Sequence, residues 1–335
     1  MILRMSLKKL LVPLAVLALF VAGCGDGDDA PSVTLYTSVD PAYSRPIVEQ
    51  FEADTGIRVD LKTDTEANKS VGLAERLRAE RDRPLADVWW GNEPFLTVAL
   101  ADEGLFEAYA SESAADVPEQ FRDAEHRWHG NGLRARVFAV AEGVEVASLE
   151  DLASPALRDK VVVARPTAGT TGSHVAALYV AWGEPKFDAF FRSLHANGAR
   201  LVSGNGPSAE AVATGNASVG LTDNDDVASA RRNLDASVRT LVPDQAEGGL
   251  GTLAIPTTIA LVKRDRDERT EAAARSLVDR LASAQVERAL REAEFTIADV
   301  RGGEMSITSM PVDYTAAAAA LPEASRRATA LLEGR

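Results

Sequence analysis

Short apolar strands that each run into a polar loop and then a helix recur along the sequence. Val33–Thr37 is the first such strand, and Ala86–Trp90 and Ser218–Thr222 repeat the pattern further along the chain. Strands that alternate with helices predict parallel sheets covered by helices on both faces. In such sheets ligands bind beyond the carboxyl ends of the strands. The sequence therefore predicts an α/β protein whose binding site is built from loops.

Four polar loops occupy the position expected for ligand contacts, because each follows a predicted strand. Two come from the N-terminal third of the chain and two from its middle, so a site built from all four would lie in a cleft between two lobes. The loops are Ser38–Asp40, Gly91–Glu93, Thr167–His174 and Asp223–Asp226. They supply the candidate ligand-binding residues Ser38, Asp40, Asn92, Glu93, Thr170, Thr171, Gly172, Ser173, His174, Asp223 and Asp225, and Asn205 is a further candidate.

Part of this candidate site has the chemistry of an anion site. Thr170–Ser173 lies at the start of a predicted helix, where hydroxyl groups and free backbone N–H groups suit an anion. Gly172 would let a ligand approach the backbone closely. Ser and Thr also cap helices at such positions without binding any ligand. Arg134 and Arg136 lie on the same face of a predicted strand. They would either hold an anion together or pair with nearby carboxylates, and the sequence leaves both open.

The acidic residues of the same loops suggest a cation site instead. Carboxylate oxygens suit a hard cation or an amine. The candidate metal ligands are Asp40, Glu93, Asp225 and Asp226. Asp40 and Asp226 would equally serve as helix caps, with the remaining carboxylates in a solvated turn. Because Asp225 and Asp226 are adjacent, we expect only one of them to point into the cleft.

The N-terminus has the features of a bacterial export signal. Arg4, Lys8 and Lys9 precede an uncharged apolar run, Leu10–Ala22, which is short for a membrane span. The run ends at Cys24, the only cysteine of the chain. This arrangement resembles the lipobox of bacterial lipoproteins, in which the cysteine is acylated. We predict a signal peptide over residues 1–23 and a polar tether over residues 24–31. The alternatives are an ordinary signal peptide with a chance cysteine, or an N-terminal anchor helix.

Composition narrows the class of the exported part. The 335 residues contain 50 acidic and 36 basic side chains, a net charge of −14, and no cluster of Lys and Arg. A nucleic-acid-binding face needs such a cluster, so no nucleic-acid partner is expected. No second apolar run approaches the length of a membrane span. The sequence also lacks zinc-protease, serine-hydrolase and phosphate-binding-loop motifs, and its one thiol is assigned to lipidation. We therefore predict a capture protein rather than an enzyme.

A series of motifs resembles one known family. The segments Leu35–Val59, Ala86–Glu93, Gly132–Val137, Gly169–His174, Gly220–Asp226, Val242–Gln245 and Gly251–Pro256 occur in the order and spacing of bacterial ABC-importer solute-binding proteins of the ferric-ion-binding type. The resemblance covers roughly residues 32 to 310. It implies the two-lobed periplasmic-binding-protein fold, in which lobes of mostly parallel sheet and flanking helices are joined by hinge strands. It also implies delivery of a ligand to a permease that is driven by an ATPase.

The resemblance also suggests boundaries and a location. Lobe 1 would comprise residues 32–133 with about 256–300, and lobe 2 residues 134–255 with about 301–335. The protein would be a monomer without a resident cofactor, held by lipid on the outer side of a membrane at the periplasmic face or cell surface. Its bound ligand would be Fe(III), another cation or a small molecule.

One departure from the family bears on the ligand. Ferric-ion-binding relatives commonly hold Fe(III) with two adjacent tyrosines, and this sequence has Asp225 and Asp226 at that place. The first-loop ligand of the relatives corresponds to Asp40, and the third-strand carboxylate falls on Asn92 or Glu93. The family type indicates iron, whereas the loss of the tyrosines favours a small organic anion such as 2-aminoethylphosphonate or a sugar phosphate. A secreted enzyme or a sensor partner with the same fold is the third alternative.

Overall fold

The structure is a computed structural model that describes residues 30–64, 71–167, 169–302 and 307–335. The predicted signal peptide, Cys24 and most of the predicted tether lie outside these residues. Pro31–Arg335 forms one compact unit. Among the described helices, none has the length and apolar character that crossing a membrane requires.

Strands and helices alternate over most of the described chain. The strands are β1 (Ser32–Thr37), β2 (Arg58–Thr63), β3 (Val88–Gly91), β4 (Phe106–Glu107), β5 (His129–Val140), β6 (Val161–Ala164), β7 (Arg200–Val202), β8 (Val219–Asp223), β9 (Arg239–Leu241) and β10 (Ala254–Val262). The helices are α1 (Pro41–Thr55), α2 (Val71–Ala79), α3 (Pro94–Asp102), α4 (Gly169–Ala196), α5 (Asn205–Ala213), α6 (Asn224–Leu234), α7 (Glu268–Leu281), α8 (Ala284–Glu292) and α9 (Tyr314–Leu332).

The strands form one mixed sheet in the order β2-β1-β3-β10-β5-β8-β6-β7, with β4 beside β10 and β9 beside β5. The pairs β1–β2, β1–β3, β6–β7 and β6–β8 are parallel. The long strands β5 and β10 run antiparallel to their neighbours. We call β2-β1-β3 with β4 and β10 the first half of the sheet, and β8-β6-β7 with β9 the second half. The division into two lobes at the boundaries given above stays a prediction.

Strand β5 belongs to both halves. Its first part pairs with β10 as far as Ala135, and from Arg136 onward it pairs with β8. The pairing with β10 also contains a bulge, because Pro256 lies opposite Leu133 while Thr257 lies opposite Asn131. The extra residue is Gly132, which has a φ of 62° that glycine adopts readily. A Cβ at this position would lie 2.8 Å from Cγ2 of Thr296.

Apolar side chains from the helices cover both halves of the sheet. Phe51 of α1 and Leu277 of α7 are buried against the first half, and Val175 and Phe191 of α4 against the second. Helix α9 packs on both α3 and α4. Its first residue, Tyr314, places its ring 5.6 Å from that of Phe95 in α3. The C-terminal helix therefore touches elements of both halves.

Three helices begin after or within predicted loops or short strands. Helix α1 begins at Pro41, directly after the predicted loop Ser38–Asp40. Helix α5 begins at Asn205, three residues after β7 ends, with Gly204 as its cap, so Ser208 lies inside the helix. Asp223 ends β8, and α6 begins at the next residue, so the predicted loop is a helix start. Helix α4 is broken at Gly183, whose φ of 70° and ψ of 166° are not helical.

A buried carboxylate fixes the bulge of β5. Glu287 of α8 accepts a hydrogen bond from the N–H of Gly132 at 3.1 Å and another from the N–H of Val300. Its second oxygen pairs with Arg301 Nη1 at 2.7 Å, and its side chain is only 2% exposed. Because a buried donor or charge without a partner is costly, the three groups depend on this carboxylate.

We expect Glu287→Ala to lower the free energy of unfolding by about 3–5 kcal/mol, the usual cost of breaking a buried ion pair. The measurement is chemical denaturation followed by circular dichroism. Glu292→Ala is the matched control, because Glu292 lies in the same helix and is exposed. It should change the free energy of unfolding by no more than about 0.5 kcal/mol. Equal effects of the two substitutions would contradict the role given to Glu287.

Candidate ligand-binding site

Asp223 lies at the centre of a buried polar cluster. It ends β8 directly opposite Arg136 of β5. Its Oδ1 accepts from Arg136 Nη1 at 2.7 Å, and its Oδ2 accepts from Arg134 Nη2 at 2.8 Å. The side chains of Asp223 and Arg136 are at most 1% exposed. The two arginines therefore share a face of β5, as their spacing predicts, and pair with a carboxylate of the protein, one of the two predicted possibilities.

Arg134 also holds the first turn of α6. Its Nε donates to Asp225 Oδ1 at 3.0 Å, and its Nη2 donates to both oxygens of Asp225 at 2.8 and 3.0 Å. Its Nη1 donates to the backbone carbonyl of Asn92, in the loop after β3, at 3.2 Å. The guanidinium thus connects the first half of the sheet to the second.

The starts of α4 and α5 complete the cluster. Thr170 Oγ1 donates to Asp223 Oδ2, and Asn205 Nδ2 donates to the same oxygen at 3.1 Å. Asn205 Oδ1 accepts from Thr171 Oγ1 at 2.8 Å and from Arg136 Nη1 at 3.0 Å. Three helices therefore begin beside Asp223, namely α4, α5 and α6.

On the first half of the sheet, the predicted residues form a second, smaller group. Glu93 is the N-cap of α3 and accepts from the N–H groups of Phe95 at 2.8 Å and Leu96 at 3.0 Å. Ser173 Oγ of α4 donates to Glu93 Oε2 at 2.9 Å. Both oxygens of Glu93 are thus committed to capping α3 and to contacting α4, an arrangement that does not favour Glu93 as a metal ligand. Ser38 Oγ bonds both the N–H and the side chain of Asn92.

A cavity of about 110 Å³ lies between these groups. It is lined by Asn92, Arg134, Ala164, Arg165, Thr167, Gly169, Thr170, Thr171, Ser203, Gly204, Asn205, Gly206, Pro207, Asp223 and Asp226. Small-molecule pockets commonly have volumes of about 300–1,000 Å³. The cavity in this conformation therefore suits one charged group of a ligand better than a whole sugar phosphate.

The structure places the remaining predicted residues around the cavity rather than in it. Gly172 faces α9, because a Cβ there would lie 3.4 Å from Cδ1 of Leu321. It packs two helices and does not serve ligand approach, contrary to the prediction. His174 is buried in α4, about one helical turn after Thr170. Asp40 is the N-cap residue of α1 and makes no capping hydrogen bond with its side chain.

Three carboxylates form one close group. One oxygen each of Asp223, Asp225 and Asp226 lies within 4.8 Å of the other two. Among the described residues, these three form the group whose side chains are close enough to share a metal ion. Asp40 and Glu93, which were predicted to share a metal site with them, are outside the group. Asp226 lines the cavity and accepts from Thr222 Oγ1 at 3.4 Å, whereas Asp225 does not line it, so one of the two adjacent aspartates faces the cavity.

The pKa values of Asp223 and Asp225 are shifted in opposite directions. Burial alone would raise the pKa of Asp223, but Arg136 and then Arg134 hold it below its ordinary value. Burial, with the neighbouring Asp223, raises the pKa of Asp225 although Arg134 opposes the shift. Asp223 is therefore the firmly ionised partner of the arginines, and Asp225 is the weaker one.

Behind Asp223, two side chains have unused polar atoms. Nε and Nη2 of Arg136 and Nδ1 of His174 are buried without a hydrogen-bond partner in the described part of the chain. Burial first, and then the charge of Arg136, lower the pKa of His174 from 6.5 to about 3. His174 is therefore a neutral neighbour of the guanidinium at physiological pH.

Sequence reasoning missed one whole wall of the cavity. Of residues 203–207 only Asn205 was a candidate, and Arg165 was not singled out, whereas Thr167 begins one of the four predicted loops. The signal that would have found residues 203–207 is the strand before them, but β7 has only three residues. Such a short strand shows too little periodicity to mark where its carboxyl end lies.

Comparison with known proteins identifies the family. Residues 32–296 match the model of the family described as bacterial extracellular solute-binding protein. The chain belongs to this family. The assignment confirms the predictions of a solute-binding protein outside the cytoplasm and of a binding rather than an enzymatic role.

Two relatives illustrate the similarity. This chain is 31% identical to "Iron uptake protein A1" of Synechocystis sp. over 224 residues, and the alignment covers 61% of this chain and 59% of the relative. It is 29% identical to "Probable ABC transporter periplasmic-binding protein y4fP" of Sinorhizobium fredii over 64% of this chain and 60% of that one.

Solved structures confirm the predicted periplasmic-binding-protein fold. The apo ferric ion-binding protein A of Pasteurella haemolytica has a TM-score of 0.78 at 21% identity and covers 90% of this chain and 98% of its own. The periplasmic binding protein AfuA of Actinobacillus pleuropneumoniae, solved with fructose-6-phosphate, has a TM-score of 0.72 at 19% identity over 91% and 97% of the two chains. At this identity, the likeness establishes the fold alone.

The protonation of His174 gives a stability test. The unfolded chain binds a proton at His174 near pH 6.5 and the folded chain only near pH 3, so its contribution to stability is complete above pH 6.5 and declines as the pH falls. We expect wild type to lose about 2 kcal/mol more than His174→Asn between pH 7 and pH 5, at about 1.4 kcal/mol per pH unit. Denaturant titrations at each pH measure this difference. Parallel pH profiles would show that folding leaves His174 free to protonate.

Proposed function

We propose that this protein is the extracytoplasmic solute-binding component of an ABC importer and that it binds its ligand through an anionic group. The observation that carries the proposal is that the guanidinium of Arg134 and the starts of α4 and α5 line one cavity. The first N–H groups of a helix have no partner within the helix and carry partial positive charge, so they attract anions. The importer role follows the name of the Sinorhizobium relative.

The hydroxyl and amide groups of the cavity suit the same ligand class. Thr170, Thr171 and Asn205 line the cavity and already bond one another and Asp223. An oxyanion can accept from hydroxyl, amide and guanidinium donors together, and such charge-assisted bonds are the stronger ones. The carboxylates Asp223 and Asp226 also line the cavity. They would accept hydrogen bonds from hydroxyl or amine groups of the same solute.

Iron uptake is the leading assignment by kinship, with iron arriving as an anionic chelate. The Synechocystis relative is named for iron uptake, and the Pasteurella protein for ferric ion. In this chain, no tyrosine is among the described residues that line the cavity. Asp223 and Asp225 are paired with arginines. Bare Fe(III) would lack the hard, negatively charged ligand set that it needs, whereas a ferric carboxylate complex presents oxygens to the arginine.

A phosphorylated organic solute is the second candidate. The Actinobacillus protein of the same fold was solved with fructose-6-phosphate. A phosphate or phosphonate group matches the cavity of about 110 Å³. The rest of such a solute would need more room than this conformation offers. This need supports a division into two lobes that close on the ligand, with β5 and β10 as the hinge strands.

The membrane link is proposed from the sequence of the N-terminus. Lipid on Cys24 would tether the binding domain beside the permease, and the polar residues before β1 would serve as a short linker. A permease and its ATPase are the partners that the importer role requires.

Binding to a panel of solutes tests the ligand class. The protein from Pro31 onward would be heated with ferric citrate, Ca²⁺, 2-aminoethylphosphonate or fructose-6-phosphate. An anion at 100 times its Kd should stabilise the fold by about 2.7 kcal/mol, seen as a higher melting temperature. Stabilisation by Ca²⁺ with none by the anions would reject the anionic ligand class.

The same panel tests the guanidinium. Arg134→Lys keeps the charge but removes the fork of donors, so affinity for the active anion should fall at least about tenfold. Arg165→Lys is the matched control, because Arg165 also lines the cavity but is 48% exposed and pairs with Glu333. Arg165→Lys should change the affinity for the active anion only slightly. An equally small change of affinity in both variants would mean that Arg134 contributes only charge.

Lipidation predicts a change in cell fractionation. We expect Cys24→Ser to move the protein from the membrane fraction to the soluble extracytoplasmic fraction, because the thiol is the only acylation site of this type in the sequence. Immunoblotting of the fractions measures the change. Retention of Cys24→Ser in the membrane at wild-type levels would favour an anchor helix instead.

A further inference from the structure

Every donor nitrogen of Arg134 is already committed within the protein. Nη1 donates to the carbonyl of Asn92, Nε donates to Asp225, and Nη2 donates to Asp223 and Asp225. The guanidinium carbon also lies 5.0 Å from the centroid of the Phe295 ring, which covers one of its faces. An incoming anion can therefore gain a bidentate contact with Arg134 only by replacing one of these partners.

The two carboxylates differ in how firmly they are held. Asp223 accepts from Arg134, Arg136, Thr170 and Asn205, so four side chains would lose a partner if it moved. The described hydrogen bonds of the Asp225 carboxylate all come from Arg134. Asp225 is thus the partner that a ligand can replace without breaking the rest of the cluster.

We propose that Asp225 is an internal competitor for Arg134. It holds Nε and Nη2 of a guanidinium that lines the cavity, so an anion gains these two contacts only by displacing Asp225, which thereby determines which anions bind. The inference rests on the proposed function, because it takes the ligand to be an anion bound at this site. Only a group with two oxygens spaced like a carboxylate can replace both contacts that Asp225 makes. The site would therefore select carboxylates, phosphates and phosphonates over halides and other single-point anions.

The position of Asp225 on α6 lowers the cost of its release. Asp225 is the second residue of α6, and the N-cap residue Asp223 makes no capping hydrogen bond with its side chain. A carboxylate in the first turn is stabilised by the positive end of the helix even without an arginine partner. Burial first, and then the negative charges of Asp223 and Asp40, disfavour the ionised form of Asp225 and raise its pKa.

Substitution at positions 225 and 235 tests the competition. Isothermal titration of the protein from Pro31 onward would use inorganic phosphate and citrate as probes, with wild type, Asp225→Asn and Asp235→Asn. Asp235 is the matched control, because it is an exposed carboxylate at the other end of α6 and is not among the residues that line the cavity. We expect Asp225→Asn to bind the active probe at least about tenfold more tightly than wild type, and Asp235→Asn to gain less than about threefold.

Asp225→Glu separates competition from folding. A glutamate keeps the competing carboxylate, so its affinity for the probe should stay near that of wild type while Asp225→Asn gains. Thermal unfolding of each variant without the probe verifies that it is folded. If Asp225→Asn does not fold, Asp225→Ser takes its place, since it also removes the carboxylate.

Four results would overturn the inference. Equal gains in the variants at 225 and 235 would reduce the effect to general charge. Weaker binding by folded Asp225→Asn would make Asp225 a direct ligand contact. Absence of anion binding by wild type and by every variant would reject both the competition and the anionic ligand of the proposed function. Anion binding by wild type without a gain in Asp225→Asn would reject the competition and leave the proposed function intact.

Discussion

The pairing of Asp223 with Arg136 is the interaction on which the rest of the site depends. Both side chains are removed from water almost completely. A buried charge without a partner costs several kcal/mol, so each requires the other. Their contact joins β8 to β5 directly across the strand pair, and Thr170 and Asn205 then attach the starts of α4 and α5 to the same carboxylate. The positive ends of these helices face the cavity as a consequence of this one pair.

Strand β5 carries this arrangement because it serves both halves of the sheet. Arg134 lies in the part paired with β10, and Arg136 lies in the part paired with β8. The bulge at Gly132 precedes Arg134 by two residues and is held by Glu287. The residues that bind and the residues that would bend are therefore neighbours on one strand. Any change of strand pairing at the bulge would therefore move Arg134 directly, because both lie on β5.

The sequence predicted the parts of this site that depend on local periodicity. Two arginines at spacing two share a face, and Thr170 falls at a helix start, as expected. The roles that depend on tertiary partners could not be predicted. Glu93 carries the same carboxylate whether it binds a metal or caps α3, and only the position of the Phe95 and Leu96 N–H groups decides. Likewise, the register of β5 against β8 selects Asp223 as the partner of Arg136. The wall at residues 203–207 was missed because β7 is too short to show a pattern.

The contact between Asn92 and Arg134 has a consequence for how such a site diverges. The first half of the sheet reaches the guanidinium with a main-chain carbonyl, which every residue type possesses. The second half reaches it with side chains that mutation can change one at a time. New solute preferences can therefore arise by substitutions in the turns that begin α4, α5 and α6, while the opposite wall keeps the same acceptor. The main-chain acceptor on the first half of the sheet is independent of residue type, whereas the side chains on the second half can vary and change the solute that is bound.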